Sequence, residues 1–132
     1  MNPKQKAKGN VALEFALILP VLLLFVGGII DLGRAYWFKQ TLTWASREGA
    51  RYGSVLSSED WSCDFVKERV IQAVQKGCGT SISKDDVAVV PEAGPKAASE
   101  LTVTVSMPFR FLILPYSIPN LSGQTTMRFE SS

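Results

Sequence analysis

The chain has 132 residues, no histidine and two cysteines, and its 14 basic and 12 acidic side chains give a formal net charge of +2. Without imidazole there is no histidine to act as general base or metal ligand, and cysteines at 63 and 78 match neither a zinc site nor a CxxC redox pair. The length allows one small domain, part of it committed to an apolar run of membrane length.

Residues 2–8 carry Lys4, Lys6 and Lys8 and no acid. The positive-inside rule keeps such a leader in the cytoplasm and places the rest of the chain outside. As a nucleic-acid arm the tract is too short and lacks interleaved aromatics, so no nucleic-acid partner is expected. Residues 11–30 follow, with Glu14 the single ionisable side chain among them. At about 1.5 Å per residue they match a hydrocarbon core of roughly 30 Å. A cleaved secretory signal is the competing reading. Against it, the run exceeds the usual ~7–15 apolar residues, and the sequence beyond continues as a helix.

After residue 30, Ala35, Phe38, Leu42, Ala45, Gly49 and Tyr52 fall at spacings of three and four, one seam of a helix. One rod over residues 11–52 is therefore expected, about 63 Å long, with Pro20 kinking or loosening it. Ala45 and Gly49 are small and four apart, so a partner backbone can approach there. Phe38, Leu42, Ala45 and Gly49 are the expected helix-packing and partner contacts. Gly27 and Gly28 offer a similar approach inside the membrane, or are simply tolerated there.

Ser57 with Asp60 three residues later resembles a capping box, Val66, Val70 and Val74 mark one face, and Gly77 offers a stop, which predicts a second helix. Residues 86–90 and 100–107 read as strands. Leu101, Val103, Val105 and Met107 alternate onto one side, and residues 124–129 complete a small antiparallel sheet. "MPFRFLILPYSIP" is dense in apolar residues but divided by Pro108, Pro115 and Pro119. It is too short between prolines to span a bilayer. It reads as an irregular apolar surface against the rod, the bilayer or a partner, or else as buried in its own domain.

Outside the membrane Cys63 and Cys78 would meet oxidising conditions, which favours a disulfide. A full helix between them would hold them about 22 Å apart, beyond the roughly 6.8 Å limit for bridged Cα atoms. Either the helix is shorter and the chain folds back, or the bond is intermolecular, or there is none. The first is the expectation, a bridge that would contribute about 3 kcal/mol in the chain-entropy model. No phosphate-binding loop, dinucleotide fingerprint or nucleophile elbow occurs, and the adjacent acids Asp85 and Asp86 lack the calcium-loop pattern. The chain is expected not to be an enzyme and to need no cofactor or metal.

An unpaired carboxylate at the centre of a membrane helix costs roughly 2.5–3.5 kcal/mol on insertion scales, less near its end. Glu14 either marks the interface or pairs with a cation on a neighbouring subunit. Cleavage after Gly9 would create that cation, the α-amino group of Asn10, with Glu14 as fifth residue of the shortened chain. "G-NVALEF" resembles a prepilin peptidase motif, in the form seen in the TadE-like proteins of tight-adherence (Flp) pilus systems. Phe15 follows the glutamate, where that family has tyrosine or phenylalanine. Residues 13–20, "DLGRAY" at 31–36 and "ASREGARYGS" at 45–54 also resemble the family, and "TVTVSMPF" is similar to its C-terminal half. TadG-like proteins share the N-terminal region but carry a larger outer domain; TadF-like proteins are similarly short.

The resemblance implies a non-catalytic minor pilin or pseudopilin in the bacterial inner membrane, needed for assembly or priming of the pilus. Its processing residues would be Gly9, Asn10, Glu14 and Phe15. Its partners would be the prepilin peptidase, other Tad pilins and pseudopilins, inner-membrane assembly proteins and the lipid bilayer. The competing class is a plain single-pass membrane protein with an outer scaffold or binding domain. The expected organisation is α+β. A basic leader (1–9) precedes a transmembrane anchor (10–30), a helical extension making a long pilin-like helix (31–56), and a small domain of one short helix and an antiparallel sheet (57–132).

Overall fold

The computed structural model describes residues 3–96, 98–113, 115 and 117–130; Met1 and Asn2 of the leader, and Leu114 and Tyr116 of the proline-divided segment, lie outside them. A single helix, α1 (Pro3–Val55), runs through Pro20 without a break. Its 53 residues make a rod of about 80 Å. The rod thus exceeds the expected span at both ends. It stops where Ser57 and Asp60 close a turn: Ser57 Oγ donates to Asp60 Oδ2 at 2.7 Å, and Asp60 N donates back to the Ser57 carbonyl at 3.2 Å. The capping pair is therefore the corner between two helices rather than the start of the second.

The second helix, α2 (Cys63–Cys78), begins after Ser62 and ends at Gly79, whose φ of 68° is the left-handed conformation glycine adopts without strain. Gly77, the expected stop, stays inside the helix, and a Cβ there would overlap the Thr41 side chain on α1. Val66, Val70, Ala73 and Val74 are the buried face of α2.

The sheet has the order β1 (Val87–Val90), β2 (Glu100–Arg110), β3 (Ser117–Arg128), all antiparallel. Both long strands extend into the proline-divided segment, β2 as far as Arg110 and β3 from Ser117; the described residues between them, 111–113 and 115, lie outside any strand. The β2–β3 register shifts between Met107 and Phe109, where Pro108 cannot donate to the ladder; Pro119 lies in the opposing stretch. Leu101, Val103, Val105 and Met107 point inward from β2 and pack with Leu42, Ala45 and Ala50 of α1 and the valines of α2; Phe109, also buried, meets Phe38 of α1 instead. The rod lies very close to β3: a Cβ on Gly123 would fall 2.5 Å from the backbone carbon of Leu42 and the backbone nitrogen of Thr43. One turn along, the buried Ser46 hydroxyl meets that of Thr125 at 2.8 Å.

Trp61 closes the opposite end of the core. It stacks edge-on with Phe129 at 5.3 Å and donates from Nε1 to the Glu92 carbonyl at 2.8 Å. Among the described residues the sheet's strands thus pack on the outer part of α1, from Arg34 outward. Residues 11–26 touch no other element closely enough to be covered.

Candidate functional site

The bare half of α1 is apolar and exposed on every side, with Phe15 at 61 % and Phe25 at 66 %. Among the described residues it is the one helix that is long and apolar enough to cross a membrane, which supports a membrane anchor towards the N-terminal end. Glu14 projects from this surface among leucines and valines and is itself exposed. Gly9 and Asn10 lie on the helical backbone of α1, while their surroundings fall outside what the structure describes.

At the other end of the apolar run sits a feature that sequence reasoning passed over. Asp31 is fully buried, at 0 % exposure. Its Oδ1 accepts from the Leu112 amide at 3.0 Å and its Oδ2 from the Ile113 amide at 2.8 Å. Arg34 Nη1 adds a longer contact of 3.4 Å from the next turn of the helix. A hairpin turn leaves amides without cross-strand acceptors, and a carboxylate is the strongest acceptor available to them. The Arg34 guanidinium also lies over the Phe109 ring at 5.4 Å, and Phe109 meets Phe38 at 5.4 Å and Phe111 at 5.3 Å. Below Asp31, the Ile113 side chain fills the space above Gly27, where a Cβ would lie 2.5 Å from its Cδ1. The signal in the sequence was an acid placed directly after a membrane-length run, which needs a partner as much as Glu14 does.

The seam expected to meet partner subunits is covered from within the chain. Leu42 and Ala45 are fully buried, and Gly49 is buried against Val70 of α2 with Val103 of β2 close by; Phe38 is half-buried on Phe109. The three-and-four spacing of small and apolar residues is here an intramolecular contact seam. The surface that fills it is the chain's own second helix and sheet, because a small domain on a rod has no other apolar face to bury.

The cysteine expectation is corrected. Cys63 and Cys78 begin and end an unbroken sixteen-residue helix and are both free. Bridging them within one chain would require dismantling α2. Cys78 donates its thiol to the Val74 carbonyl at 3.2 Å. Burial pushes the Cys63 thiol above its ordinary 9.0, with Lys67 partly opposing and Glu92 and Asp64 adding to the rise.

Among the described residues no three His, Cys, Asp or Glu side chains gather as a metal ligand set. A groove of about 300 Å³ between the helices is lined by Tyr52, Val55 and Leu56 and by Glu48 and Arg69, which pair with each other at 2.8 Å. On the far side of α2, Lys84 bridges Asp64 at 3.2 Å and Glu68 at 3.4 Å. Its hydrogen bond to Asp64 raises its pKa above 10.5, with partial desolvation opposing. These exposed pairs tie the 3-10 turn at Lys84–Asp86 to the helix and bring no reactive group to a substrate.

The bare apolar helix, its single acid near the start and its clamp at the far end are thus the distinctive geometry, and all lie on α1. Residues 9–51 match the family model of TadE-like proteins. The TadE-like segment therefore covers the membrane helix from Gly9, Glu14, the Asp31 clamp and the buried seam to Arg51, while α2 and the sheet lie beyond it. Neither the curated proteins nor the solved structures compared with the chain gave a match.

Proposed function

We propose that the chain is a minor pilin or pseudopilin of a Tad/Flp-type pilus, anchored in the bacterial inner membrane with its small domain outside. The observation that carries this reading is the TadE-like match, which begins at Gly9 and includes Glu14 on an otherwise bare apolar helix. A prepilin peptidase would cut between Gly9 and Asn10. The new amine of one subunit would then neutralise Glu14 of another in the membrane, removing the cost of an isolated carboxylate. Phe15 and the surrounding leucines would supply the helix surface for neighbouring pilins, since the outer seam is already occupied. The role is assembly or priming rather than catalysis.

N-terminal sequencing and intact mass of the protein from membranes containing the peptidase test the proposal. A start at Asn10, lost in Gly9→Leu, and loss of pilin co-purification in Glu14→Ala are the expected results. An intact leader would leave a plain single-pass accessory protein. A start beyond residue 30 would remove the anchor altogether.

A further inference from the structure

We infer that the β2–β3 hairpin tip, built around Phe111, Leu112 and Ile113, is a second membrane-inserting element. In this arrangement it is immersed in the leaflet on the domain side, and Asp31 holds it there. The inference needs only that residues 11–30 cross the bilayer; it does not depend on the pilin reading.

The argument begins with depth. The apolar run ends at Ile30, with Leu32 still 62 % exposed, while Tyr36 and Trp37 are 66 % and 55 % exposed one to two turns further out. Exposed tyrosine and tryptophan beyond an apolar run mark the headgroup level. The hydrocarbon boundary therefore lies near Asp31. The hairpin tip sits at that boundary or below it, because its amides reach Asp31 and the Ile113 side chain reaches Gly27. Gly27 is a turn deeper than Asp31, about 6 Å toward the bilayer centre.

Composition agrees with the depth. Leu112 is 76 % exposed and Ile113 is 48 % exposed, both apolar, where the domain touches the membrane helix at Gly27. Arg110 on β2 and Arg34 on α1 flank the tip on the domain side, where their cations reach headgroup phosphates. Backbone polarity is met at two of the described positions. A turn entering hydrocarbon must bring its own acceptors, and the Asp31 carboxylate supplies one each to the Leu112 and Ile113 amides. The same contacts shield the carboxylate. A loose domain on a flexible tether would need none of this; here the domain is fixed in depth and tilt against the bilayer surface.

The test uses the full chain in phosphatidylcholine–phosphatidylglycerol vesicles, with Cys63 and Cys78 replaced by alanine and one nitroxide-labelled cysteine at position 112. Collision with oxygen is compared with collision with a water-soluble nickel chelate. Labels at position 24 in the anchor and at position 90, the exposed Val90 of β1, serve as references. The expected result is that Leu112→Cys resembles Leu24→Cys, favouring oxygen, and differs from Val90→Cys. Nickel access at position 112 equal to that at position 90 would overturn the inference. So would protection from both reagents, which would mean that a second protein copy covers the tip. In parallel the wild-type chain is photolabelled with a carbene precursor confined to the lipid phase. Adducts on the peptide containing Phe111–Ile113 support the inference without any substitution, and adducts confined to residues 11–30 refute it.

Discussion

Gly123 gives a quantitative test of how the small domain is mounted on the rod. A Cβ there would meet the Leu42 carbon and Thr43 nitrogen at 2.5 Å and the Leu42 carbonyl oxygen at 2.8 Å. All three are backbone atoms inside α1, so no rotamer change relieves the overlap. Restoring ordinary contact requires β3 and the helix to separate by about 1 Å, a gap that forfeits roughly a quarter to a half of each affected dispersion contact. Leu42 is fully buried at this point, and the Ser46–Thr125 hydrogen bond lies on the same interface. Overpacking typically costs about 1–3 kcal/mol. With the overlap on backbone and a buried hydrogen bond adjacent, Gly123→Ala is expected near the top of that range. At about 4–8 °C per kcal/mol for a domain of this size, Tm would fall by roughly 10–20 °C. The assay is near-ultraviolet circular dichroism of the full chain in detergent, followed through thermal unfolding. Gly33→Ala is the control, because its Cβ meets nothing within 4 Å and alanine favours the helix. Equal melting of Gly123→Ala and wild type would refute the close approach of β3 to the rod.

Three further outcomes follow from the same geometry. Replacing Asp31 by alanine removes a charged acceptor from the Leu112 and Ile113 amides. At about 1.5–3 kcal/mol per charge-assisted bond, their hydrogen exchange should accelerate by roughly ten- to a hundredfold while β1 amides keep their protection; unchanged exchange at the tip would exclude the clamp. Gly27→Ala should loosen the same tip by displacing Ile113, whereas Gly28→Ala, with open space around it, should leave tip exchange as in wild type. The Cys63 thiol, raised by burial, binds its proton more tightly folded than unfolded. Its contribution to stability is complete below about pH 9 and declines as pH climbs through the raised folded value. In a Cys78→Ala background, alkylation at pH 9 should be slower for the folded chain than in urea, and equal rates would count against burial.

Much of the architecture was legible in the local pattern. Apolar length and composition mark residues 11–30 as long and apolar enough to cross a bilayer. The three-and-four spacing from Ala35 to Gly49 follows the covered stripe of the rod, although Tyr52, the next residue of the series, is exposed; the alternation from Leu101 to Met107 identifies the buried face of β2, because both periodicities follow from backbone geometry. The Gly9–Glu14 motif was likewise visible as a chemical anomaly before any fold was known. What each face packs against was not legible. Gly49 and Gly77 look like a partner seam and a helix stop until α1 and α2 cross at those points. Helix length is set by local propensity together with tertiary cover, so Cys63 and Cys78 could be separated only once α2 was seen packed along its whole length. Asp31 shows the division most clearly. Its position after the apolar run was in the sequence, but its partners are Leu112 and Ile113, some eighty residues away. Only the folded hairpin brings their amides within hydrogen-bond reach, because pairing across that distance depends on where the sheet docks and not on any local pattern.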